Sequence, residues 1–151
     1  MNKTKTAREI LFRGIPVGEK EFVYGYYFVD HVISKEFPYE EVEEHYIQTR
    51  IRAGKDDCVE AIPETVGQFT GRKDRNEKMI FEKDLVEFKD PSIHYDYDKN
   101  EYLLGRIEFV EEVASFRIVT DLEEEFVIHL DVDLAVIGTK HTTSELITNK
   151  L

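Results

Sequence analysis

Tryptophan is absent from the 151 residues, cysteine occurs once and proline four times, and each scarcity removes a class of protein. A lone cysteine, Cys58, cannot close an internal disulfide or build a Cys-x-x-Cys metal cluster, which fits a reducing compartment better than secretion. Its neighbours Asp57 and Glu60 oppose the electropositive surroundings that a nucleophilic thiolate needs, so a buried or inert cysteine is expected. No apolar run approaches the roughly 20 residues of a membrane span. The N-terminal MNKTKTARE is polar, and the ILF after it is too short for a signal-peptide core. A soluble, cytoplasmic chain without a membrane partner is the expectation.

Catalytic signatures are missing as well. His31, His45, His94, His129 and His141 nowhere take His-x-x-x-His spacing, the usual mark of a helical metal site. Ser34, Ser92, Ser115 and Ser144 lack the strained, glycine-flanked turn of an acyl-transfer nucleophile, and no phosphate-cradling glycine string occurs. Asp96, Asp98 and Asn100 begin like a calcium loop. Glu101 then stands where the sharp turn requires glycine, and Ile107 stands where a bidentate glutamate would close the site. Carboxylate pairs abound, but in so acidic a chain they single out no acid/base dyad. The expectation is a non-enzymatic protein with no catalytic residue, no metal ligand and no cofactor.

Positive charge is scarce: 20 Lys and Arg face 32 Asp and Glu, for a net charge of −12. That balance repels nucleic acid at long range and penalises binding by phosphate neutralisation. Two local basic clusters remain, Lys3, Lys5, Arg8 and Arg13 near the N-terminus and Arg72, Lys73, Arg75 and Lys78 near the centre. Solvated tail and turn charges are the simpler account of them; a nucleic-acid-binding accessory protein is the alternative. The denser acidic stretches, 36–44 and 108–133, keep a chain soluble or dock on a basic partner.

What is present reads as strands. At 41% hydrophobic the chain is long enough for one domain, 1–151, with a core that needs no staple. Residues 1–7 read as a flexible arm, followed by a strand over Arg8–Phe12 and a turn at Pro16 bracketed by Gly14 and Gly18. From Glu21 to Ile33 few positions are polar, as in a central strand covered on both faces, and Gly25 within it marks a bulge or a close backbone approach. Tyr39, Val42 and Tyr46 recur at helical spacing after Pro38, which predicts a short surface helix. Ile47, Thr49, Ile51 and Ala53 then alternate, and after a turn the chain returns over Cys58–Ile62 as the second strand of a hairpin. That hairpin is expected to project, with 35–60 as a possible insertion.

Ile62–Phe88, reading IPETVGQFTGRKDRNEKMIFEKDLVEF, predicts two strands about a charged turn. Beyond a polar loop, four more strands are expected around Leu103–Val110, Ala114–Thr120, Glu125–Leu130 and Leu134–Gly138, and a short helix from Ser144 to Leu151. The fold class is mainly β: antiparallel strands in a small barrel or sandwich, with a projecting hairpin and short helices.

The central stretch also resembles the signature of the YopX-like family of bacteriophages and prophages. PETVGQFTG at Pro63–Gly71 is the most specific string, with KDRN at Lys73–Asn76 and IFEKDLVEF at Ile80–Phe88. REILFRG, FVYGYYF and LAVIGT followed by SELI stand in the family's order. The resemblance implies a β-rich fold without an established biochemical activity. It shows glycine where this chain carries Glu77 and Lys83; if those glycines serve positive φ angles, the local turn geometry here is open. Among the polar signature residues, Thr65 and Asp84 are expected to satisfy turn backbone groups. The candidate binding residues are Glu64, Gln68, Arg72, Lys73 and Arg75. The partners expected are a second copy of the chain, paired through strand edges, and a host or phage protein.

Overall fold

A computed structural model describes residues 9–49, 57–90, 101–128 and 133–141. The expected N-terminal arm, the tip of the 47–62 hairpin, the calcium-like loop start and the C-terminal helix lie outside the described residues. The fold is β-rich, with two antiparallel sheets, one curled into a half-barrel. Its contacts gather into two compact units, Met1–Phe69 and Thr70–Leu151.

In the first unit, β1 (Phe12–Gly14), β2 (Val23–Ile33), β3 (Glu41–Gln48), β4 (Cys58–Glu60) and the start of β5 (Gly67–Lys73) take the order β4-β3-β2-β1-β5. β1 reaches only Val23, Gly25 and the residue between them. From Tyr26 to Ile33, β2 pairs with β3 alone among the described residues. The expectation of a strand covered on both faces is therefore corrected. Tyr24, Tyr26 and Phe28, alternate residues on one face of the strand, are 48%, 67% and 41% exposed. Gly25 does mark a close approach: a Cβ there would lie 2.0 Å from the Gln48 carbonyl oxygen.

The helix expected after Pro38 is also corrected. Ser34 to Glu40 form the ribbon's loop, in which the Ser34 N–H donates to the Glu40 carbonyl at 2.7 Å and Ser34 Oγ accepts the Glu40 N–H at 3.0 Å. Val42, Glu44 and Tyr46 then face Val32, Asp30 and Phe28 across the ladder. The four-residue interval from Val42 to Tyr46 serves a period of two as well as a helical one, and the cross-strand partners decide between them. β3 and β4 pair as expected, over three positions, and Cys58 is exposed there rather than buried.

Thr65 ends a 3-10 turn, Pro63–Thr65. Its Oγ1 donates to the Ile62 carbonyl at 2.6 Å and accepts the Ile15 N–H at 2.8 Å, the backbone role expected of it.

In the second unit, the rest of β5 neighbours β6 (Met79–Phe81), and a sheet of β7 (Asp84–Phe88), β8 (Leu103–Val110), β9 (Ser115–Val119), β10 (Glu125–Val127) and β11 (Leu134–Thr139) runs β10-β9-β8-β7-β11. The single strand expected over Ile80–Phe88 is broken at Glu82 and Lys83. Asp84 is fully buried, and its carboxylate accepts the Phe81 N–H across that break at 2.8 Å. Glu77 and Lys83 have φ of 62° and 72°, so both positions keep the left-handed geometry that glycine suits. Ile80, Val86, Phe88, Ile107, Ile118 and Leu134 form the core on one face of the sheet. Ile107, considered above as a calcium-loop position, is part of it.

Candidate functional site

The other face of that sheet carries a half-open groove of about 460 Å³. Strand register builds its floor. Leu85, Arg106 and Val119 lie in one row across β7, β8 and β9, and Leu104 stands beside them, opposite Glu87. On β11 the register shifts between Val136 and Gly138, which leaves Ile137 outside the ladder, 42% exposed and lining the groove. A bulge re-aims a side chain in this way.

One wall is the turn between β9 and β10. Thr120 Oγ1 accepts the Glu124 N–H at 3.2 Å, and the Thr120 N–H donates to the Glu124 carbonyl at 3.0 Å. The turn holds out Leu122, 76% exposed. Glu123 ties it back, accepting from Arg106 Nη2 at 3.0 Å, while Arg106 Nε donates to Glu108. Partial burial pulls the Arg106 pKa down, but its bonds to Glu108 and Glu123 outweigh this and raise it. Arg106 is thus neutralised by partners, and Asp121 and Glu124 leave that end of the groove acidic.

Tyr102 lines the groove too, with the Arg75 guanidinium 5.1 Å from its ring centre. Arg75 pairs with Asp133 at 2.9 Å and Glu87 at 2.5 Å, and Tyr102 Oη donates to Asp133 at 3.0 Å. The bonds to Asp133 and then Glu87 raise the Arg75 pKa against some burial. Asp133 is lowered, first by Arg75.

The five residues singled out from the sequence do not gather here. Glu64 lies in the 3-10 turn and Gln68 on β5 opposite Phe12, both in the first unit. Arg72 and Lys73 are exposed on the second-unit part of β5, where Lys73 pairs with Glu77 at 3.6 Å. Arg75 alone touches the groove's surroundings, as one side of a charge network. In the other basic cluster, Arg13 is buried, with its guanidinium 4.3 Å from the Phe22 ring centre. Nothing in the sequence marks the groove's apolar residues, because they are ordinary strand leucines and isoleucines. Leu122, an apolar residue amid the acidic turn, is the exception.

Two histidines separated in sequence do share a ribbon face. His45 Nδ1 meets Tyr27 Oη at 2.7 Å, and His31 Nδ1 lies 3.5 Å from Glu41. Burial, then Glu43, raises the Tyr27 pKa. Among the described residues, no group of three or more His, Cys, Asp or Glu is placed to hold a metal ion, and no helix is long and apolar enough to cross a membrane.

The sequence model of the family described as YopX protein matches residues 12–148. No curated protein and no solved structure matches the chain.

Proposed function

The chain belongs to the YopX protein family, and on that premise we propose that it is a non-enzymatic, phage- or prophage-encoded protein that holds another protein in its apolar groove, in the host cytoplasm. The observation that carries this reading is the groove itself. Exposed Leu104, Leu122 and Ile137 surround a concave floor, with ion-paired arginines and the carboxylates of Asp121 and Glu124 about it. An apolar centre within a polar rim is the anatomy of a protein interface. The acidic end favours a partner segment that brings aliphatic side chains flanked by lysine or arginine.

The test is capture from infected host lysate, with and without nuclease, by wild-type protein and by Leu104→Glu and Ile137→Glu variants that melt like it. A stoichiometric protein recovered after nuclease and lost with both variants supports the reading. Equal recovery by the variants removes the groove from it. Nuclease-sensitive recovery favours the nucleic-acid alternative, and recovery of untagged copies alone favours self-assembly.

A further inference from the structure

The β2–β3 ribbon carries a second surface, independent of the groove. Alternation along β2 puts Tyr24, Tyr26, Phe28 and Asp30 on one face. Register adds Glu44 opposite Asp30, and Tyr46 opposite both Phe28 and Glu60 of β4. The Phe28 and Tyr46 rings stack at 5.3 Å between centroids, 16° from parallel. An exposed aromatic centre is thus edged by three carboxylates; among the described residues no lysine or arginine stands on β2, β3 or β4, and Arg13 of β1, opposite Tyr24, is buried.

Soluble proteins seldom leave such aromatic surface open without use. Its electrostatics select what covers it. Aromatic faces attract cations through their negative quadrupole, and carboxylates beside them match a guanidinium's planar fork. One oxygen of Glu44 accepts from Tyr46 Oη and one of Asp30 accepts the His31 N–H, which fixes both carboxylates while leaving each a second oxygen. A second copy would set carboxylate against carboxylate, and a phosphate backbone would meet Asp30, Glu44 and Glu60, since Arg13, which stands opposite Tyr24, is buried. We propose that this face binds an arginine-rich segment of a partner protein, with guanidinium groups over Tyr26 and Phe28 and against Asp30 and Glu44.

The experiment is a fluorescence-anisotropy titration of labelled octa-arginine with the full chain, against octa-lysine. Octa-arginine is expected to bind several-fold tighter than octa-lysine, because only the guanidinium stacks. Tyr26→Ala together with Phe28→Ala should weaken octa-arginine about tenfold. Tyr26→Ala alone removes only an exposed ring, keeps the test free of folding defects, and should cost about threefold. A control variant, Glu111→Gln with Glu112→Gln, removes two exposed carboxylates elsewhere and should change affinity less than the ring variants do. Equal affinity for the two peptides, or Tyr26→Ala binding like wild type while the control variant weakens, would reduce the effect to the chain's general acidity and overturn the proposal.

Discussion

The Asp74 carboxylate accepts the Val136 backbone N–H at 2.9 Å, joining residues 62 apart in sequence. Its other oxygen accepts the N–H groups of Asn76 and Lys78 at 2.8 and 2.9 Å, while the Arg75 N–H donates to the Leu134 carbonyl at 3.0 Å. The turn after β5 therefore takes the place of a further strand along the outer edge of β11, an edge that would otherwise offer itself to other chains. Asp74→Ala leaves three backbone donors without their acceptor and should cost about 3 kcal/mol. Asp74→Asn keeps an acceptor oxygen and should lose about half as much. Urea denaturation separates the two; equal losses would mean that the carboxylate's bonds are not what holds the turn.

Acid should undo the same contact. Burial pushes the Asp74 pKa up, but the three backbone donors, Val136 foremost, more than offset it, so the group lies below the usual carboxylate range. Asp133 lies low as well, held first by Arg75. A carboxylate depressed in the folded chain contributes stability that is complete above its unfolded value, about 4, and is lost as pH falls through the lower folded value. Melting temperature should therefore be level above about pH 5 and decline below about pH 4. Asp74→Asn should flatten that decline; a variant that falls as steeply as wild type would assign the acid sensitivity to other groups.

Strand existence was legible because alternation survives in a sheet with one buried face: Val86 and Phe88 are buried while Leu85 and Glu87 between them are partly open. The backbone duties of Thr65 and Asp84 were legible too, since short polar side chains beside turns have few other uses. The ribbon was not, because an unbroken run of aromatics looks alike whether a second layer covers it or solvent does. Val42 and Tyr46, four residues apart, fit two periods, and only the partner strand chooses. The groove depends on a register shift at Ile137 and on which leucines face outward, both set by pairing between strands remote in sequence.

Glu77 and Lys83 occupy left-handed backbone, at φ 62° and 72°. Lys83 is fixed there by both its backbone groups, the N–H donating to the Ile107 carbonyl at 2.7 Å and the carbonyl accepting the Lys140 N–H at 3.2 Å. A side chain in that region costs about 1–2 kcal/mol, against roughly 0.4–1 kcal/mol of extra chain entropy that glycine loses on folding. Lys83→Gly should thus stabilise by about 0.5–1 kcal/mol. Glu77→Gly should do nearly as well, because the exposed Lys73–Glu77 pair that it removes contributes little. Alanine at either position relieves nothing and should show no gain; a stabilising alanine would place the strain in the side chain instead of the backbone.

Tyr46 reports on the ribbon's own chemistry. Its hydroxyl donates to Glu44 at 2.5 Å, and that bond, ahead of burial and the neighbouring carboxylates, pushes its pKa up to about 12. A tyrosine raised in the folded chain gives stability that is present below its unfolded value, about 10, and lost as pH rises through the folded one. Carbon-13 ring labels resolved by NMR should show Tyr46 still protonated at a pH where an unperturbed tyrosine has ionised. Glu44→Gln withdraws both the charge and the strongest acceptor, so the midpoint should return most of the way to the ordinary value. A midpoint unmoved by that change would shift the cause to the carboxylates of Glu60 and Asp30, which stand on the same face.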